Sequence, residues 1–308
     1  MLSKQFLLAS VCFLLMIWAV GLSRQVQNTL EFVQDGANNS FSPPVPKGPT
    51  SIPQTLNFFL NNNGGSNEGI YFQKAQSPLS VTFSLDDQKY ITVPQHVTGM
   101  TFGAASGASA CQVKPATVVN NNYHFADSTR SIFTSHPQGT AGHGINLFTN
   151  VGVQVFLSAK PLMSIKAPTT DTSRYYYGKL RLRFSRPVKN PVISLIGLGA
   201  TTNFANKHLG FATELELQSP ANTLVRLSGN KEMLLDATNK KILHAQSTIT
   251  GNCANGAACG SVMITGSDIT DVVFGVYLRT DGGNGVWGTE KVRNSGDMWH
   301  ITVSLADQ

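Results

Sequence analysis

Charge is what this sequence has least of. Its 308 residues include 23 Lys+Arg and 17 Asp+Glu, so 13% are charged, about half the quarter usual for a globular protein. So little charge excludes a coiled coil or a helical solenoid, which need long helices with solvated charged faces. Long apolar runs are also missing beyond one near the N-terminus, which excludes a multipass membrane protein. There are only four cysteines, none in a Cys-x-x-Cys pair and none with a close His partner, so a zinc site is not expected. The formal net charge of +6 is thinly spread. Arg181, Arg183 and Arg186 form the one close basic cluster, and they alternate with Leu180, Leu182 and Phe184 as on a solvated strand face. Nucleic-acid binding would want a basic stripe interleaved with exposed aromatics and is not expected. Against these shortages stand 28 glycines, 14 prolines and 41% hydrophobic residues. That composition supports a packed core and favours strands and turns.

Residues 1–23 read as an export signal: Lys4 gives the positive start, Phe6–Leu22 the uncharged apolar run, and Ala19-Val20-Gly21 the small residues of a cleavage site. The run also lies at the lower edge of a membrane span, so cleavage and retention as an anchor through residues 6–22 both stay open. The chain is expected to be exported, secreted or at the cell surface, touching a membrane only if that segment is uncut. Cys253 and Cys259 bracket a short Gly/Asn/Ala loop, and in an oxidising compartment a disulfide there is expected. Cys111 is left over, most simply as a buried thiol.

Residues 24–54 read as a Pro/Asn-rich linker of extended, unpaired backbone. Strand signals begin at 55. Leu79, Val81, Phe83 and Leu85 alternate with polar residues and so share a buried face. Val97–Phe102 reads as a further strand, Gly103–Ala110 gives no clear signal, and residues 114–144 read as long loops. Alternation strengthens from 145 onward, through Val151–Leu157, Tyr175–Phe184, Thr213–Leu217 and Val272–Leu278. Pro191–Gly199 is almost continuously apolar, as for a central strand covered on both faces. Only Asn230–Lys240 has helical flavour. Many short strands separated by turns, without strand–helix alternation, predict an all-β fold: an antiparallel β-sandwich, jelly-roll-like, with long loops. Residues 55–144 would be a β-rich extension and 145–308 the principal sandwich domain.

A series of patches then carries a resemblance: Tyr175–Leu180, Phe184–Val192, Gly197-Leu198-Gly199, Phe211–Leu217, Leu227-Ser228-Gly229, Gly260-Ser261-Val262, Val276–Arg279 and Gly296–Trp299. In this order, over roughly residues 140–305, they resemble an N-terminal-type β-sandwich domain of large bacterial cell-surface and secreted proteins, adhesin-like and rich in repeats. The resemblance implies a surface or secreted setting and supplies no catalytic residues.

Several constellations could carry chemistry. Glu214 and Glu216 lie two apart on one strand face, about 6.5–7 Å from each other, a spacing that suits a pair of glycosidase carboxylates. The same spacing describes an ordinary wet face, which is the favoured reading. His136 and His143 share a glycine-rich loop without a carboxylate and read as loop surface. Asp281, Asn284 and Asp297 are oxygen ligands on or near Gly-rich turns, as a structural calcium ion would need. Trp287 beside Asp281 and Asn284 is a candidate platform for a sugar ring. Trp299 reads as core. The expectation is a non-enzymatic surface module for attachment, envelope structure or protein contact, with a glycan or a surface protein as partner. A carbohydrate-binding module using the 281–287 loop is the second reading, and an exported hydrolase using Glu214 or Glu216 the third.

Overall fold

A computed structural model describes residues 28–41, 47–62, 72–91, 99–106, 111–119, 132–170, 172–204, 206–245, 252–288 and 295–307. The expected signal at 1–23 lies outside them. In chain order the first strands are β1 (Thr29–Glu31), β2 (Gln34–Asp35), β3 (Asn38–Asn39), β4 (Gln54–Asn57), β5 (Phe59–Asn61) and β6 (Phe72–Lys74). Next come β7 (Ser80–Asp86), β8 (Met100–Phe102), β9 (Ala104–Ser106), β10 (Cys111–Val113), β11 (Ala116–Val118) and β12 (Val151–Ser158). After the five-residue helix α1 (Lys160–Ser164), the strands lengthen: β13 (Arg174–Val188), β14 (Val192–Leu198), β15 (Ala200–Phe204) and β16 (Lys207–Leu217). The rest are β17 (Leu224–Gly229), β18 (Met233–Leu235), β19 (Lys241–His244), β20 (Ala258–Ile264), β21 (Ile269–Thr280) and β22 (Gly296–Ala306).

The fold is all-β, with antiparallel sheets packed against each other and no closed barrel among the described residues. The larger sheet has ten strands and runs β17-β20-β14-β22-β1-β5-β6. β12 lies end to end with β1 along one edge of β22 and in turn carries β8 and β11. The smaller sheet has eight strands and runs β18-β19-β16-β21-β13-β7-β4, with β15 beside β16. The period of two in each strand builds the interface between the sheets. Leu180, Leu182, Val272, Phe274, Val276, Leu278 and Leu215 face Ile193, Leu195, Trp299, Ile301 and Val303 in one apolar cluster. Burying each of these side chains is worth about 1.5–3 kcal/mol, so this seam dominates stability. A bulge between Tyr176 and Gly178 turns Tyr177 into the seam, where its hydroxyl donates to the Ser158 carbonyl at 2.6 Å. Gly178 has φ +155°, and a Cβ there would stand 3.1 Å from the Asp86 carbonyl oxygen, so glycine suits the bulge.

The larger sheet is covered on its outer face as well. β12 and β14 are buried along their whole length, which the apolar run at Pro191–Gly199 predicts for β14 and the alternation at Val151–Leu157 does not for β12. The cover comes from the loops around Phe133, Ile145 and Leu147 and from the Cys253–Cys259 loop, which pack on Ile196.

Three sequence expectations are corrected. Residues 24–54 are not simply unpaired linker: Thr29–Glu31 is a fully buried strand between β22 and β5, and Gln54 begins β4. The prolines at 43, 44 and 46 lie outside the described residues. Asn230–Lys240 forms β18 and turns rather than helix, because Met233–Leu235 pairs with Ile242–His244. The unassigned stretch 103–110 holds β9, and the expected long loops of 114–144 hold β11.

Candidate functional site

The smaller sheet's outer face carries the carboxylates that attracted attention in the sequence. β16 and β21 pair so that Glu214 stands opposite Tyr277, and β13 places Arg174 opposite Arg279. The two arginines close on Glu214 from either side. Arg174 Nε donates to Glu214 Oε2 at 2.7 Å, and Arg279 Nε donates to Oε1 at 2.7 Å. Arg174 Nη1 also donates to Glu216 Oε2 at 2.9 Å, and the Arg174 guanidinium lies 4.0 Å above the Tyr277 ring. Arg279 Nη2 donates to the His244 carbonyl at 2.9 Å. The wet-face reading therefore fails for Glu214, whose side chain is 2% exposed, while Glu216 keeps 28%. Alternation put both side chains outward correctly, but the flanking guanidinium groups and the β19 end cover the first. With both oxygens taken by charged donors, Glu214 is held as a structural counterion.

Beside this cluster is a cavity of about 500 Å³, lined by Thr172, Arg174, Glu214, Lys241, His244 and Arg279, with Leu243 and Ala245 as its apolar wall. Sequence reasoning missed it. Its parts come from four separate stretches, and no spacing signal links them.

The 281–287 loop is built differently from expectation. Trp287 is 3% exposed. Its Nε1 donates to the Ala167 carbonyl at 3.0 Å, and its ring packs on Tyr175 and Phe211. A ring so enclosed offers no face to a sugar, which corrects the platform reading. Asn284 is exposed. Asp281 closes its own loop, with Oδ2 accepting from Gly210 N and Oδ1 from Gly283 N, both at 2.9 Å.

Asp297 sits apart in role. It is fully buried, and Oδ1 accepts from Gly199 N at 3.0 Å while Oδ2 accepts from Thr213 N at 2.7 Å. The carboxylate thus ties β22 in one sheet to β16 in the other. Burial pushes its pKa up to about 6, against the pull of hydrogen bonds from Thr213 and Gly199. Both oxygens of Asp281 and both of Asp297 accept from backbone N–H groups, so each carboxylate braces its own part of the fold.

The two loop histidines also separate: His136 is buried and its Nδ1 accepts from Gln138 N at 3.1 Å, whereas His143 is exposed. Loop surface therefore describes only His143. Burial lowers the His136 pKa. Cys253 and Cys259 form the expected disulfide, with Cα atoms 5.6 Å apart, and Gly197 N donates to Cys259 Sγ. Cys111 belongs to β10, but its side chain lies outside the described residues. No described helix is long and apolar enough to cross a membrane.

Comparison of the chain with family models, curated proteins and solved structures finds no match.

Proposed function

We propose that the chain is an exported, non-enzymatic β-sandwich module of a bacterial cell surface or secreted protein, serving attachment, envelope structure or protein contact. The observation that carries this reading is how the acidic groups are spent. Acid–base or nucleophilic catalysis needs a carboxylate free to exchange a proton or attack, with a second group to assist it. Glu214 is instead locked between two guanidinium groups, Asp297 between two backbone N–H groups of different elements, and Asp281 within its own loop. The disulfide supports an oxidising compartment, and the resemblance of residues 140–305 to surface-protein sandwich domains supports the setting.

The test has two arms. Expression with and without residues 1–23 should send only the longer chain out of the cytoplasm. Purified protein should turn over none of a panel of polysaccharides, esters and peptides. Hydrolysis that disappears in Glu216→Gln would replace this reading with the hydrolase. A chain that stays in the cytoplasm with both cysteines reduced would remove the export half.

A further inference from the structure

We infer that the cavity beside Glu214 is a binding site for a small organic carboxylate, of the size and polarity of a sugar acid. Three cations line it, Arg174, Arg279 and Lys241, against one carboxylate, Glu214. That carboxylate has no oxygen to spare, since each accepts from an arginine Nε. Glu216 offsets a second charge through Arg174 Nη1, and Lys241 Nζ stays 3.9 Å from Glu216 Oε2, too far for a hydrogen bond. Counting both glutamates, the cluster retains an excess of one positive charge.

One donor is specifically left over. Arg174 Nη2 is buried and has no hydrogen-bond partner among the described residues. A buried N–H of a charged group left unpaired is costly. Nothing about Arg174 is loose enough to relieve it: Nε and Nη1 are fixed by two carboxylates, and the plane rests on Tyr277. Its one unpartnered nitrogen is therefore held in place, and a carboxylate oxygen is the strongest kind of acceptor for a charged N–H donor. Lys241 adds a second charge on the same wall. The volume of about 500 Å³ falls within the range of small-molecule sites, roughly 300–1,000 Å³. Leu243 and Ala245 give the carbon skeleton an apolar wall and Thr172 a hydroxyl. Neutral sugars would leave the excess charge unanswered, so the carboxylate is the discriminating feature.

This deepens the module reading and rests on it, since the site is taken to bind without turnover. Titration calorimetry of the full chain with D-glucuronate and D-glucose at low ionic strength tests it. Glucuronate should bind and glucose should not, and raising the salt to about 0.5 M should weaken binding several-fold as the charges are screened. Lys241→Ala, at a partly exposed position, should weaken glucuronate about fivefold with an unchanged melting temperature. Arg174→Lys keeps the charge but removes the fixed Nη2 donor, and should weaken it more than tenfold. A uronide oligosaccharide separates the two sources of the same group: binding equal to the monomer assigns a chain end, and binding of the monomer alone assigns a free acid. Equal binding of glucose and glucuronate, no binding of either, or affinity indifferent to both substitutions would overturn the assignment while leaving the module reading in place. Turnover of the uronide would remove the module reading instead.

Discussion

Glu31 and Glu214 occupy matching places, one on the outer face of each sheet, and both are buried, yet by opposite means. Glu31 receives only neutral donors: the Thr29 hydroxyl, Asn61 Nδ2 at 3.2 Å and Asn150 Nδ2 at 2.7 Å. Its surroundings continue as a neutral polar layer beneath a loop, in which Ser194 and Ser261 share a hydrogen bond, Thr134 N donates to Ser261 Oγ and the Thr134 hydroxyl to Ser228 Oγ. Glu214 receives only cations, and its face continues toward solvent as an ionic ladder, Arg181 with Asp86 and Asp271, and Arg183 with Asp271. A sheet face closed over by loops excludes water, so charge there is expensive and neutral amides and hydroxyls replace it. A face left open can carry charge at little cost. The same outward register thus yields two chemistries, decided by what lies above the strand.

The sharpest way to break this comparison is to neutralise both glutamates. Glu214→Gln leaves two partly buried guanidinium groups short of their counterion, and we expect a loss of about 2–4 kcal/mol in urea unfolding, from the cost of breaking a buried pair. Glu31→Gln removes a charge that has no cation to miss, and should cost only about 1 kcal/mol, as its new amide meets the Asn150 amide. Equal losses would mean that the two faces are electrostatically alike. Next in size is the disulfide that anchors the cover of the larger sheet. Replacing Cys253 and Cys259 by Ser should cost about 2–3 kcal/mol. Non-reducing digestion followed by mass spectrometry should find the linked peptide in the exported protein. Two alkylated thiols there would refute the pairing.

The contrast also explains what could be read from the residues and what could not. Alternation is a statement about pleat, so it located β7, β12, β13, β16 and β21 well and aimed their side chains correctly. It says nothing about cover. Glu214 therefore looked wet, and the serines of β14 and β20 gave no hint that they are buried. Thr29-Leu30-Glu31 was invisible as a strand because two of its three residues are polar, although all three are buried in the sheet. Asn230–Lys240 misled in the other direction, where sheet pairing overrode a local helical tendency. Trp287 sits among Gly and Asn in the sequence, and only the distant Ala167, Tyr175 and Phe211 reveal that it is enclosed. The cationic cavity depends on register across β13, β21, β16 and β19, which a single sequence does not specify.

A smaller effect probes the neutral layer from within. Gln154, opposite His300 on the outer face of β12, is fully buried with neither amide atom hydrogen-bonded. An apolar residue of similar volume removes that unsatisfied group without losing any bond. We expect Gln154→Leu to stabilise the protein by about 1 kcal/mol, read as a raised urea midpoint at unchanged slope. A loss of similar size would show that the layer has a use for the amide.

The last difference between the faces is the sign of their response to pH. Burial raises the Glu31 pKa above its ordinary 4.5, against the pull of Thr29, Asn150 and Asn61. The folded state then holds its proton to higher pH than the unfolded chain. The contribution is fully present below 4.5 and is lost as pH rises through the folded value. On the ionic face Asp271 behaves oppositely: partial burial works against it, but Arg183 and Arg181 draw its pKa below the ordinary 3.8. Its contribution is present above 3.8 and is lost as pH falls through the lower value. Urea unfolding of the native chain and of Glu31→Gln between pH 4 and pH 7 should therefore diverge. The native chain should lose stability relative to the variant as pH rises, by no more than about 1.4 kcal/mol per pH unit, the limit for one proton. Asp271→Asn should leave that interval flat relative to the native chain and change the profile only below it. Parallel profiles for the native chain and Glu31→Gln would mean that Glu31 titrates as it does in water, and the closed face would lose its claim to exclude charge.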